Sequence, residues 1–155
     1  MVMTLRTLGH DDAPALGGLA AQLATEPRRF GRAALPKPSA GWRARLAHPC
    51  RVRAVGAFVD GALVGVGRLV PAGADRAELL VAVTSGHRGR GIGAALVGAA
   101  LELAAELELG AVVAAVERRN PAAMALCARR QIELRELAPG RVEVILGVSP
   151  IRCSA

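Results

Sequence analysis

Residues 86–93, GHRGRGIG, combine four glycines with two arginines, which are residue types suited to binding a ligand. Glycine lets backbone N–H groups approach a ligand closely, and arginine pairs with phosphate oxygens. The run follows a strand-like apolar segment and precedes helix-forming residues, and the start of a helix favours negative charge. The spacing therefore predicts a phosphate-binding loop rather than a connection alone.

The first candidate ligand is a nicotinamide dinucleotide. Gly89, Gly91 and Ala94 satisfy the G-x-G-x-x-A pattern of dinucleotide-binding loops. Glu117 ends the next predicted strand, where a ribose-binding acid belongs. In that pattern, however, the first glycine follows its strand almost at once, whereas five residues separate Val83 from Gly89. The doubly wound sheet of such proteins also needs several further strand–helix units, of which the sequence predicts one, so this interpretation is kept as an alternative.

The second candidate ligand is coenzyme A, because the chain resembles a known family. Residues 82–97, AVTSGHRGRGIGAALV, are similar to the R/Q-x-x-G-x-G/A motif of the GNAT superfamily of acetyl-CoA-dependent N-acyltransferases. Arg88, Gly91 and Gly93 stand at the fixed positions of that motif. Residues 120–132, NPAAMALCARRQI, resemble the family's N-x-x-A-x-x-L-Y-x-K-x-G-F element. The first strand and helix and the hairpin before the motif strand also fit, so the resemblance covers nearly the whole chain.

The resemblance implies where coenzyme A is held. Acetyl-CoA is the acyl donor, its pantetheine arm lies between two splayed parallel strands, and a backbone N–H near Val83 stabilises the thioester oxygen as an oxyanion hole does. No metal is implied, and the acetyl group passes directly to an amine in a ternary complex. The residues implied in binding coenzyme A are Val81, Ala82, Val83, Arg88, Gly89, Arg90, Gly91, Ile92, Gly93, Ala94 and Asn120. A helix cap in front of Pro121 is a second explanation for Asn120.

Three side chains are candidates for proton transfer. Glu78 leads as the base that deprotonates the amine, because strand alternation puts it on the same face as Leu80 and Ala82. Glu117 ends the next strand, on the other side of the expected cleft. Cys127 stands where the family often has a tyrosine that protonates the departing thiolate, and the chain contains no tyrosine. A water relay and a purely structural, buried cysteine are the alternatives.

The elements that must position these residues predict an α/β fold. Hydrophobic periodicity and turn residues give the order β-α-(α)-β-β-β-α-β-α-β-β. This order predicts a mixed central sheet with helices on both faces, in a single GNAT-like domain over residues 1–150 with a tail at 151–155. A loop or short helix is expected over residues 26–38, and helical turns are expected over 41–48.

Local signals predict where several of these elements begin and end. Asp60-Gly61 predicts a tight hairpin between two strands. Asp11 or Asp12 is expected to cap the first helix, and Gly110 is expected to end the long helix after the loop.

Bulk composition restricts the class of protein. The 155 residues are 52% hydrophobic, enough for one core, and their formal charge of +7 favours an anionic ligand. Cys50, Cys127 and Cys153 are odd in number and far apart, which predicts a reduced, cytoplasmic protein. We expect no signal peptide, no membrane-spanning stretch, no nucleic-acid or membrane partner, and a monomer or a homodimer.

The acceptor is expected to be an amine of low positive charge. Polyamines and aminoglycosides need several converging carboxylates, and only Glu78, Glu117 and Glu143 are candidates. Glu102 and Glu106 are expected to point outward from the long helix. The sequence therefore favours an N-acetyltransferase for an amino acid or small metabolite amine, ahead of a protein N-terminus. A non-catalytic acyl-CoA-binding or sensing domain is the alternative function.

Overall fold

The computed structural model describes residues 2–25, 53–72 and 75–148. The segments expected over residues 26–38 and 41–48, the tail at 151–155, and two of the three cysteines, Cys50 and Cys153, lie outside these residues.

Seven strands and three α-helices lie within the described residues. The strands are β1 (Met3–Thr7), β2 (Arg53–Val59), β3 (Ala62–Pro71), β4 (Arg76–Val83), β5 (Ala111–Glu117), β6 (Gln131–Ala138) and β7 (Arg141–Leu146). The helices are α1 (Ala13–Thr25), α2 (Ile92–Glu106) and α3 (Pro121–Ala128), with short 3-10 helices at His10–Asp12 and Ser85–His87. None of the helices in this part of the chain is long and apolar enough to cross a membrane.

The strands form one mixed sheet in the order β1-β2-β3-β4-β5-β7-β6. β4 and β5 are parallel neighbours, and all the other neighbouring pairs are antiparallel. The described sheet therefore contains one βαβ unit, built from β4, α2 and β5. The prediction of a mixed sheet is confirmed, and the doubly wound sheet of the dinucleotide alternative has no counterpart in this topology.

Helices cover both faces of the sheet, as predicted. On one face α2 packs so closely on β3 that a β-carbon at Gly67 would lie 3.3 Å from the Leu96 carbonyl oxygen and 3.7 Å from the Ala100 β-carbon. On the other face Leu16 and Leu19 of α1 are buried in a second apolar cluster. Since β4 and α2 are both fixed by packing, the loop that joins them is held at the carboxyl end of the parallel strands.

Of two local predictions, the hairpin turn is confirmed, whereas the capping of α1 by Asp12 is not observed. Asp60 and Gly61 form the predicted hairpin turn, with φ of 49° and 85°, as a type I′ turn requires. Asp12, expected to cap α1, lies in the 3-10 turn before it and accepts a hydrogen bond from the Gly9 N–H at 2.8 Å. The Arg6 guanidinium, 2.8 Å from the same carboxylate, lowers the pKa of Asp12 to about 2. Asp12 therefore ties β1 to the 3-10 turn rather than capping α1.

The end of α2 also differs from the prediction. The helix stops at Glu106, and Glu108, with φ of 58°, takes the left-handed conformation that was expected of Gly110. Gly110 instead donates its N–H to the Asp75 carbonyl oxygen at 2.8 Å. This bond places the start of β5 beside the start of β4.

Candidate coenzyme A and acyl-transfer site

The parallel strands β4 and β5 separate along their length. Pairing holds residues 76–78 of β4 against residues 111–113 of β5. β4 continues to Val83 and β5 to Glu117, and within the described residues these later segments are not paired with each other. A wedge-shaped space therefore opens between the two strands beyond Glu78, and we call it the gap.

The backbone of β4 presents hydrogen-bonding groups to the gap. On its other side β4 pairs with β3, and the Thr84 N–H donates to the Val64 carbonyl oxygen at 2.9 Å. Because hydrogen-bonded and non-hydrogen-bonded positions alternate along an antiparallel pair, Ala82 also directs its backbone to β3, whereas Val81 and Val83 direct theirs to the gap. Such groups can pair with an extended amide chain, and a N–H among them can stabilise an oxyanion.

The loop between β4 and α2 leaves room for a ligand beside its backbone. Gly89 and Gly91 have φ of 74° and 81°, the left-handed region that favours glycine. A β-carbon at either position would meet no atom within 4 Å, so the space next to them is open. Arg88 donates from Nε to the Val83 carbonyl oxygen at 3.0 Å, which holds its guanidinium at the mouth of the gap.

The first turn of α2 supplies N–H donors next to this loop. Gly91 is the N-cap residue, and its carbonyl oxygen accepts from the Ala95 N–H at 3.1 Å. Among the described residues, the N–H groups of Ile92, Gly93 and Ala94 have no backbone acceptor, as expected for the first turn of a helix. A diphosphate fits this arrangement, because these donors and the helix dipole both favour an anion.

Asn120 follows β5 at the same edge of the sheet as the loop. Its Oδ1 accepts from the Ala123 N–H at 3.1 Å and caps α3, with Pro121 in the first turn. The residue is 1% exposed, and its Nδ2 has no hydrogen-bond partner in the described part of the chain. Since a buried donor without an acceptor is destabilising, the Nδ2 group fits a ligand that supplies a carbonyl oxygen, as the pantetheine arm does.

Replacing Asn120 with serine separates these two roles. Serine keeps a capping oxygen but removes the Nδ2 donor. We expect the thermal midpoint of the free protein to stay nearly unchanged, while affinity for coenzyme A measured by calorimetry falls about 3–10-fold. Asn120→Ala, which also removes the cap, serves as the comparison for stability. An unchanged affinity in Asn120→Ser would limit Asn120 to its structural role.

Arg88→Ala and Arg90→Ala are expected to weaken coenzyme A binding by about 1–3 kcal/mol each where the arginine pairs with phosphate. We expect the larger loss at Arg88, since the Val83 carbonyl oxygen already orients its guanidinium. The matched control is Arg53→Ala, an exposed arginine on β2. Losses below about 0.5 kcal/mol at both loop positions would make them ordinary surface charges.

The three candidate carboxylates have different surroundings. Glu117 accepts from Arg119 Nε at 3.0 Å, and Glu143 lies 3.6 Å from Arg76 Nη2. Glu78 is half-buried at the last paired position of β4, where the gap opens. Within the described residues it makes no hydrogen bond or ion pair through its side chain. Glu78 is therefore the carboxylate best placed to take a proton in the gap.

Cys127 lies in the core between α3 and the sheet. Its side chain is buried with the apolar residues of α2, and burial raises the pKa of its thiol. Its neighbour Leu126 approaches the first turn of α2, since a β-carbon at Gly93 would lie 3.4 Å from both Leu126 δ-carbons. These surroundings favour the structural role of Cys127 as a small buried apolar residue.

Cys127→Ala is accordingly expected to retain most of the acetyl-transfer rate, within about threefold of the original. Loss of a general acid would lower kcat about a hundredfold or more. The measurement is a pH profile of kcat together with coenzyme A affinity. A hundredfold loss at unchanged affinity, with an altered alkaline limb, would instead identify Cys127 as the proton donor.

Some polar groups near the site were not singled out by sequence. Arg68 is fully buried in β3, on the sheet face opposite α2, and an arginine inside an apolar strand is the signal that marks it. Thr84 Oγ1 lies 3.0 Å from His87 Nδ1, and this contact ties His87 to the end of β4. No group of three or more His, Cys, Asp or Glu side chains in the described part of the chain could hold a metal ion.

The fold and the site together combine two parted parallel strands with a glycine-rich loop at a helix N-terminus. Residues 20–131 match the model of the acetyltransferase (GNAT) family. The match spans more than half of the sequence, and the chain belongs to this family. A comparison with curated proteins finds no match.

Solved structures agree with this assignment at the level of fold. The GNAT domain of S. lividans PAT is 22% identical, with a TM-score of 0.72 over 92% of this chain and 88% of that one. The PaiA N-acetyltransferase of Thermoplasma acidophilum, in complex with coenzyme A, is 15% identical, with a TM-score of 0.67 over 94% and 99%. The ribosomal-protein-S18-alanine N-acetyltransferase of Escherichia coli is 17% identical, with a TM-score of 0.65 over 99% of both chains.

Proposed function

We propose that this acetyltransferase moves the acetyl group of acetyl-CoA to the nitrogen of a small-molecule or peptide amine of low positive charge, through a ternary complex. The observation that carries the proposal is the separation of β4 and β5 beyond Glu78. It leaves backbone groups of β4 facing the gap, and a carboxylate at its closed end. The proposal needs no metal and, from the cysteine pattern, places the protein in the cytoplasm.

In the proposed reaction Glu78 takes a proton from the ammonium of the acceptor, directly or through a water. The amine nitrogen then forms a bond to the thioester carbonyl carbon, while a backbone N–H of Val81 or Val83 stabilises the negative oxygen. The carbonyl re-forms as the carbon–sulfur bond breaks, and its electron pair leaves on sulfur. The thiolate takes a proton from water, and the hydroxide that remains takes the second proton from the nitrogen. No covalent enzyme intermediate is needed.

An acceptor screen at fixed ionic strength tests the proposal. The panel contains amino acids, monoamines, a peptide that begins with alanine, spermidine and kanamycin, and release of the coenzyme A thiol is measured. The alanine peptide is included because the Escherichia coli neighbour is a ribosomal-protein-alanine N-acetyltransferase. We expect the highest kcat/KM with an amino acid or monoamine.

Two other results would contradict the proposal. A highest kcat/KM with spermidine or kanamycin would overturn the expected charge of the acceptor. Tight binding of acetyl-CoA without turnover of any amine would support the alternative of a sensing domain.

A further inference from the structure

Charged side chains surround the closed end of the gap, on the sheet face opposite α2. Glu78 of β4 is in register with Val113 of β5, and Val113 is in register with Ile145 of β7. Arg76 comes two residues before Glu78, and Glu143 two residues before Ile145, so all these side chains share one face. We call Arg76, Glu78 and Glu143 the acceptor cluster.

The Arg76 side chain crosses this face. Its Nη2 lies 3.6 Å from Glu143 Oε1, although the two residues belong to strands on opposite sides of β5. The register positions next to them on β5 are Ala111 and Ala115, with Val113 between these two on the same face. The guanidinium therefore reaches from β4 toward Glu143, on the far side of β5.

Arg76 has hydrogen-bonding capacity left for a ligand. Its side chain is 39% exposed, and 3.6 Å to Glu143 is longer than a hydrogen bond. In the described part of the chain, none of its five N–H donors has a hydrogen-bond acceptor. A guanidinium binds a carboxylate through two parallel hydrogen bonds, so Arg76 can receive one without breaking a strong existing bond.

We propose that the acceptor is a zwitterion that carries its carboxylate a few bonds from the reacting amine, as an α- or β-amino acid does. Its carboxylate binds Arg76 and its ammonium meets Glu78. This inference rests on the proposed function and names the substrate class of the same site. Arg76 and Glu78 are two residues apart on one strand and share one face, with about 7 Å between their Cα atoms.

The acceptor cluster also explains, from residues at the site itself, why the acceptor is expected to have a low positive charge. A polyamine would place a second cation beside Arg76, which repels it, whereas a simple monoamine would leave the donors of Arg76 without a ligand acceptor. Net charge alone is a weaker guide, because distant arginines are screened beyond about 8–10 Å.

The test begins with the unaltered protein and matched pairs of acceptors. Each pair contains an amino acid and its decarboxylated amine, such as phenylalanine with phenethylamine and leucine with isoamylamine, and β-alanine with ethylamine extends the series. Thiol release gives kcat/KM for each compound. We expect the best acceptor to be an amino acid whose decarboxylated partner is at least about tenfold poorer.

Variants then assign the preference to Arg76. Arg76→Gln is expected to reduce the ratio of kcat/KM between amino acid and decarboxylated amine by about 10–100-fold, mainly through KM, and Arg76→Lys is expected to restore part of it. The matched control is Arg53→Gln on β2, where Arg53 is exposed and lies away from the acceptor cluster. Acetyl-CoA affinity of each variant confirms that the donor site is intact.

The outcomes distinguish a failure of the zwitterion proposal from a failure of the proposed function. A wild-type preference for amines without a carboxylate, or an equal loss for both members of each pair in Arg76→Gln, would overturn the zwitterion and leave the proposed function standing. If no amine in these pairs and no acceptor in the wider panel, the alanine peptide included, releases thiol while acetyl-CoA still binds, the proposed function fails, and the zwitterion fails with it.

Discussion

Gly91→Ala is expected to lower coenzyme A affinity at least about a hundredfold, as measured by calorimetry. Gly91 has φ of 81° at the N-cap of α2, and the space where its β-carbon would stand is open. A methyl group there contacts no protein atom, so it would occupy the space that the diphosphate of coenzyme A is expected to fill. The loss follows because two or more charge-assisted hydrogen bonds, worth about 1.5–3 kcal/mol each, are disrupted.

The control for this variant is Gly140→Ala in the turn between β6 and β7. Gly140 has φ of 77° and equally open surroundings, so alanine there introduces the same backbone strain, about 1–2 kcal/mol, away from the loop. We expect both variants to lose similar stability and only Gly91→Ala to lose coenzyme A. Equal affinity for coenzyme A in the two variants would show that the diphosphate does not bind at this loop.

Glu78→Gln is expected to lower kcat about a hundredfold or more while acetyl-CoA affinity stays unchanged. The carboxylate stands where β4 and β5 part and has no side-chain partner among the described residues. Glutamine has nearly the same size and cannot take a proton, so the change isolates the proton transfer.

Two matched variants make this result specific. Glu102→Gln, an exposed residue of α2, controls for loss of negative charge. Glu117→Gln tests the rival base, which is bound to the exposed Arg119, and should change kcat by less than about threefold. A large loss of kcat in Glu117→Gln with little change in Glu78→Gln would identify Glu117, and not Glu78, as the base.

The sequence was sufficient for features that depend on neighbouring residues. The hairpin at Asp60 and Gly61 needs two positive φ angles in succession, and few residue pairs provide them. Asn120 in front of Pro121 specifies a helix start for similar reasons, and the observed cap is the expected one. The glycine-rich loop, too, is a local pattern, so its place between a strand and a helix followed directly.

Features that depend on contacts between residues far apart in the chain could not be predicted from the sequence. Gly110 was expected to end α2 by its own flexibility, but the approach of Asp75 from the other end of the βαβ unit decided its role. The Arg76–Glu143 contact joins strands separated by β5, so no spacing along the chain indicates it.

The most direct test of the central claim is a calorimetric titration of the unaltered protein with acetyl-CoA, followed by NADH in the same buffer. We expect saturable binding of acetyl-CoA at one site per chain and no detectable heat from NADH, since the parted strands and the loop together fit an acyl arm joined to a diphosphate. Binding of NADH, or no binding of acetyl-CoA by the folded protein, would contradict it.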